Sequence, residues 1–335
     1  MHEASSAIVS VMKGIVRFFV ASSALTLSVL ACNGMTTTND TIAPPANDAA
    51  AETEQPDASI AETAPVTTDA PTTCAPNCPV ATLAVVGTGI RLACSPDVIY
   101  VSNVAKQFFA VPLAAPTPTE ITPPPTGVVG YLAWRGGSLF YTLPAEGEVH
   151  VRDLTTGQDV RLASGQASPQ GIAVSASGTD VFFATESGIS RIAPDGADQT
   201  PTPRVVFADL GFPPRGVAKG LALAGARFVV AHAPLAPDQL SGGLGTYSST
   251  AEQISIYTFF SKTIGVACSE AHTYWSQSEG ALFSGPRPVL STGLTPTPVV
   301  RDQISMGDIC LQGNRMYFTA ANADDLHEIR YVDVE

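Results

Sequence analysis

From about residue 80 onward, apolar and polar positions recur in one arrangement six times. The segments Val98–Ser102, Ser138–Thr142, Asp180–Ala184, Arg227–Ala231, His272–Ser276 and Arg315–Thr319 each set two aromatic or β-branched residues before a small Ser, Thr or Ala. Their last residues lie 40, 42, 47, 45 and 43 positions apart. Such composition in so short a run predicts a strand. Ahead of each lies a second apolar segment centred on a small residue: Ala93, Ala133, Ala173, Ala222, Ala267 and Cys310. A glycine precedes every one of these within four residues, at Gly89, Gly130, Gly171, Gly220, Gly265 and Gly307. Third strands follow, clearest at Val149–Leu154 and Ile189–Ile192, and fourth strands at Arg204–Phe207 and Pro298–Arg301.

Four strands per unit of roughly 43 residues, six times over, predicts an all-β chain folded as a six-bladed β-propeller. The column of small residues is expected where innermost strands crowd at the axis, and the aromatic column between blades. After Leu326–Val332 the chain ends at Glu335, too soon for a fourth strand, while Ala81–Val86 is a spare strand before the first unit. Pairing the two closes the ring and leaves no open edge. The propeller domain is therefore placed at residues 80–335. Tyr274-Trp275-Ser276, with its Phe-Tyr-Thr and Tyr-Phe-Thr counterparts, resembles the second strand of YWTD-type and related NHL-type propeller repeats, without the Asp that follows in the YWTD motif. That resemblance implies a binding or display scaffold rather than a chemistry.

The N-terminal part has a different pattern. Residues 18–31 are an apolar run preceded by Lys13 and Arg17, of signal-peptide length and too short for a membrane span. Residues 1–11 are uncharged apart from Glu3, so Met12 reads as the natural start. The run ends Val29-Leu30-Ala31-Cys32, which resembles the lipobox of bacterial lipoproteins. The resemblance implies a signal peptide over 1–31, lipidation of Cys32, anchorage in a membrane and, with Asn33 rather than Asp after the cysteine, delivery to the outer membrane. Residues 32–79 are expected to be a disordered tether: from Asn33 to Pro79 there is no Lys, Arg or aromatic residue, and seven acids are spread among Thr, Ala and Pro.

Those seven acids supply much of the formal charge of −13, from 17 Lys and Arg against 30 Asp and Glu. A chain so poor in basic residues offers no phosphate-neutralising face, which excludes nucleic acid as a partner. In an oxidising compartment Cys74 and Cys78, spaced Cys-Ala-Pro-Asn-Cys, form a small disulfide loop. Cys94, Cys268 and Cys310 fall in units that ring closure makes neighbours. Either Cys310 bridges one of the others or all three are buried thiols, because innermost strands of adjacent blades can lie too far apart for a bridge.

No metal spacing, cofactor motif or nucleophile motif is present among the histidines and acids, so no metal, cofactor or catalytic residue is assigned. Asn322–Asp325 reads as a calcium loop or a solvated turn. Candidate ligand-binding residues are the charges that reach the channel mouth, Arg91, Arg215, Lys219, Lys262 and Asp308. Asp238 and Tyr247 join them from the 22-residue stretch His232–Gln253, read as a long loop that is functional or disordered. Arg91 and Asp308 hold the same position in units one and six and are predicted to face each other, as a salt bridge or as part of a ligand site. Tyr131, Gly171, Gly220 and Gly265 hold the other four places, the glycines leaving room for a small polar or anionic ligand. The functional expectation is a lipid-anchored envelope propeller that binds a protein, peptide or glycan without catalysis. The alternative is a propeller enzyme, a metal-dependent lactonase-like hydrolase or a lyase.

Overall fold

The computed structural model describes residues 78–185, 188–194, 204–208, 216–225, 227–234, 242–248, 253–259, 262–286 and 296–334. Within them the six repeats fold as six four-stranded antiparallel sheets, arranged as the blades of a β-propeller. Blade 1 runs outward from Arg91–Cys94 through Val98–Ser102 and Phe108–Pro112 to Thr119–Ile121. The innermost strands of blades 2 to 6 are Leu132–Arg135, Ile172–Val174, Gly216–Ala224, Thr263–Cys268 and Ile309–Gln312. Each packs on the next, and the sixth packs on the first.

Closure uses both ends of the domain. Ala81–Gly87 forms the outermost strand of blade 6, paired with His327–Asp333 so that Ala81 lies opposite Tyr331 and Gly87 opposite His327. The C-terminal blade lacks a fourth strand of its own, and the N-terminal segment supplies its missing hydrogen bonds.

The aromatic column packs between blades as its pattern predicts. Phe108 of blade 1 meets Tyr141 of blade 2 edge-on at 5.2 Å, and Phe182 of blade 3 meets Phe228 of blade 4 at 4.8 Å. The small residues do the same rather than lining the axis. Ala93 lies in the core shared with Leu132 and Leu139 of blade 2, and Ala173 in the core shared with Leu221 and Phe228 of blade 4. Crowding there is between neighbouring blades, which converge toward the axis. In blades 2 and 5 the small residue near the end of the second strand has a further use. The Thr142 hydroxyl accepts the Tyr131 N–H at 3.1 Å, and the Ser276 hydroxyl accepts the Gly265 N–H at 2.9 Å, so the start of the innermost strand is held where regular pairing ends.

Adjacent innermost strands are offset by one residue. Asp308 Oδ2 accepts the N–H of Leu92 at 3.0 Å. At the equivalent places a Cβ on Gly171 would lie 2.6 Å from Leu221 N, one on Gly220 3.2 Å from Val266 N, and one on Gly265 2.9 Å from Ile309 N. The same offset, two residues further along, sets Cys310 beside Cys94. They form a disulfide with a Cα separation of 5.7 Å, within bonding reach after all. Cys268 remains a thiol because the offset sets it against Ala222 of blade 4, with which it packs on one apolar cluster. Cys78 is disulfide-bonded; its expected partner Cys74 lies outside the described residues.

One expectation fails in blade 4. The stretch His232–Gln253 is not a long loop. The second strand runs on to Pro234, and Gly242–Ser248 is the third strand, hydrogen-bonded to Arg227–Pro234 on one side and to Gln253–Phe259 on the other. Its sequence, Gly-Gly-Leu-Gly-Thr-Tyr-Ser, has almost no strand signature, since glycine contributes no side-chain packing. The ring of Tyr247 covers Gly245 closely enough that a Cβ there would sit 2.6 Å from it. Tyr247, expected as a ligand residue, is 2% exposed and belongs to the core between blades 3 and 4.

Candidate functional site

The six places ringing the axis are Asp308, Arg91 and Tyr131 on one side and Gly171, Gly220 and Gly265 on the other. The glycines open no space for a ligand, because the next blade's backbone already lies where their side chains would be. Tyr131 takes the room in the middle. From blade 2 its hydroxyl donates to the Ile264 carbonyl of blade 5, the opposite blade, at 3.2 Å. The ring thus crosses the axis and floors the channel mouth.

Arg91 and Asp308 occupy neighbouring blades as predicted, but they form no ion pair. The guanidinium of Arg91 lies 4.6 Å over the Tyr131 ring, turned toward blade 2. Asp308 is buried, and its two oxygens accept the N–H groups of Leu92 and Ile309, each at 3.0 Å. The one-residue offset explains this: it points Asp308 at a fixed backbone amide, which satisfies a buried carboxylate without ordering a long side chain. Burial pushes the Asp308 carboxyl above the ordinary aspartate value, against the opposing pull of Arg91 and the two amides. Burial likewise pushes the Tyr131 phenol far up, so it stays a neutral donor.

Above Tyr131 lies a cavity of about 380 Å³. Arg91, Lys219 and Lys262 reach it from blades 1, 4 and 5, and His327 from blade 6. Its walls are apolar, with Ile90, Val104, Val128, Val129, Ile264 and Met306. Among the described residues no acid lines it. His327 Nδ1 accepts the Gly89 N–H at 3.2 Å, and burial holds its pKa below the ordinary histidine value, with Asp325 opposing and Arg91 assisting. The ring is therefore neutral, with its proton on Nε2. Of the expected ligand residues, then, Arg91, Lys219 and Lys262 converge, Asp308 lies beneath, Tyr247 is elsewhere, and Arg215 and Asp238 fall outside the described residues.

A second polar cluster escaped the sequence reading because its members carry no motif spacing. In blade 2 the carboxylate of Asp159 accepts from Tyr141, from Arg152 Nη2 at 2.6 Å and from His150 Nδ1 at 3.0 Å. His150 Nε2 lies 2.9 Å from Glu148, which also receives Arg161 at 3.0 Å. With a carboxylate at each ring nitrogen, His150 donates from both and is an imidazolium. Burial alone would lower its pKa, but Asp159 and Glu148 raise it above the ordinary value. Three cations answer two carboxylates, and Arg152, buried over Phe108 of blade 1, also donates to the Pro123 carbonyl. The cluster is a strut between blades 1 and 2.

The Asn322–Asp325 loop is a turn tied by Asn322 Oδ1, which accepts the N–H groups of Asp324 and Leu326. Among the described residues no three His, Cys, Asp or Glu side chains are grouped to hold a metal ion.

No family model and no curated protein matches this chain. Solved structures do match, as folds. A nidogen/laminin complex gives a TM-score of 0.54 at 15% identity, over 68% of this chain and 84% of the other. The PQQ-bound aldose sugar dehydrogenase of Streptomyces coelicolor gives 0.55 at 14% identity, over 76% and 98%. The WD40 β-propeller domain of Doa1 gives 0.53 at 15% identity, over 72% and 78%. At such identities the likeness is one of architecture. This chain is a six-bladed β-propeller.

Proposed function

We propose that the protein is a lipid-anchored propeller of the cell envelope, held through Cys32 at the outer membrane, that binds a protein, peptide or glycan without transforming it. The observation that carries this reading is the floored cavity at the channel mouth, where three cations meet apolar walls. Binding is favoured over the enzymatic alternative by the state of Asp308, the acid beneath the cavity. Each of its oxygens accepts a backbone amide, and it is buried and does not line the cavity, so it holds the fold and does not face a substrate.

Two experiments test the reading. Labelled fatty acid should be incorporated by wild type and not by Cys32→Ser; equal labelling removes the anchor. Immobilised full-length protein should retain components of an envelope extract that Arg91→Gln retains weakly. Equal retention by the two proteins removes the cavity from the binding role.

A further inference from the structure

Five large apolar residues are markedly exposed among the described ones: Val85, Val104, Val128, Ile304 and Leu326. Two of them, Val104 and Val128, line the cavity over Tyr131, and two more, Ile304 and Leu326, adjoin its lining residues Ser305 and His327 in the chain. They come from blade connections and turns of blades 1, 2 and 6, so the apolar surface continues outward from the cavity as a rim. Exposed apolar residues scattered singly need no explanation, whereas a contiguous patch around a pocket marks an interaction site.

The interior combines two features that few ligands satisfy together. Its walls are aliphatic and its volume of about 380 Å³ lies in the ~300–1,000 Å³ range of ligand pockets. At its base the guanidinium of Arg91 lies over the Tyr131 ring, 4.6 Å from its centre, with no ion pair among the described residues, which leaves its N–H donors for a planar acceptor. Arg91, Lys219, Lys262 and the N–H of His327 offer donors only; the side-chain acceptors are the hydroxyls of Ser305 and Thr319, the latter fully buried with no hydrogen-bond partner. A glycan buried here would leave most of its hydroxyls without partners, at a cost that the apolar walls do not offset.

Deepening the binding reading above, on which it rests, we infer that the cavity takes the free carboxy terminus of an apolar peptide segment. The terminal carboxylate pairs with Arg91, assisted by Lys219 and Lys262, the last side chains fill the aliphatic interior, and the preceding residues lie across the Val104, Val128, Ile304 and Leu326 rim. That rim argues for a peptide over a free aliphatic acid, which would end inside the cavity and leave the rim bare. Capture of a terminal carboxylate is an established mode of peptide recognition, and here it uses side-chain cations over an aromatic plate.

The test is fluorescence anisotropy on the full-length protein with a labelled heptapeptide pool ending in two apolar residues. The same pool as carboxy-terminal amides, decanoate, and a uronate oligosaccharide serve as competitors. The free-acid pool should bind, and the amide pool should bind at least about tenfold more weakly, since a charge-assisted bidentate contact is lost. Arg91→Gln should abolish the acid–amide difference. Lys262→Gln, which leaves the Arg91–Tyr131 stack untouched, should reduce affinity for the acid alone. Equal binding of acid and amide, no binding of either, or displacement by decanoate or oligosaccharide but not by peptide would each overturn the inference. If those results coincide with Arg91-dependent retention from envelope extract, only the ligand class is wrong. If retention fails too, the binding reading falls with it.

Discussion

The two halves of the ring solve one packing problem in opposite ways. Where blades 3, 4, 5 and 6 meet in succession, Gly171, Gly220 and Gly265 let each innermost strand press directly on the backbone of the next. Where blades 6, 1 and 2 meet, the same ring position carries Asp308, Arg91 and Tyr131, and junctions are made by side chains. The offset between strands is the same at every junction where it can be read, so the halves differ in filling and not in geometry. The glycine half gains close contact and loses any chance to tune it. The side-chain half includes blade 6, where the first and last described strands pair, and it carries the disulfide, the buried carboxylate and the stacked arginine.

If that contrast is right, the largest effect comes from the covalent link. Replacing Cys94 and Cys310 together with alanine should lower stability by roughly 5 kcal/mol on a chain-entropy estimate for so long a loop, read as a shift in denaturant midpoint under non-reducing conditions. A shift no larger than that of Cys268→Ala would mean that closure does not depend on it. Next comes the glycine half. Gly171→Ala should cost about 1–3 kcal/mol, because the atoms it strikes are backbone and cannot turn away. A neutral result would show that the blades there have slack.

Asp308→Asn should cost about 1 kcal/mol, since one amide loses its acceptor. Its pH dependence has a definite sign. The folded pKa is raised above the unfolded value, so the carboxyl favours folding most below about pH 4 and loses that contribution as pH rises through the folded pKa. Wild type should therefore gain on the variant as pH falls. The smallest effect is expected in the strut between blades 1 and 2. The His150 pKa is also raised, so its contribution is complete below about pH 6.5 and fades as pH climbs through the folded value. His150→Gln should cost less than about 1 kcal/mol, and less at pH 9 than at pH 6. A constant difference across that window would show that the ring is not held as an imidazolium.

The architecture was legible because its signals are periodic. Three columns, of aromatic, small and glycine residues, each recur six times with a packing cause that repeats, and the surplus strand at Ala81–Val86 matches the deficit after Val332. What escaped notice was aperiodic. Gly242–Ser248 is a strand by virtue of neighbours on both sides, and its residues say nothing about them. The Cys94–Cys310 bridge follows from a one-residue offset between blades that no single strand encodes. Equivalent ring positions put Arg91 and Asp308 on neighbouring blades without making them an ion pair, because position on a ring says where a side chain begins and not which acceptor is nearest. The three glycines suggest space in the sequence and mark contact in the fold, for the same reason.

The order of strands also decides how the domain would bear a pull. Any tension applied through the residues before Cys78 meets the Cys78 N–H bond to the Val299 carbonyl and then Ala81–Gly87, whose pairing with His327–Asp333 completes blade 6. Were that strand peeled away, the load would pass along the chain through Gly89 to Arg91–Cys94. There the Cys94–Cys310 bridge ties it back to the same blade. The outer seam can yield while the inner ring stays locked, so the closing strand can act as a mechanical fuse ahead of the channel mouth.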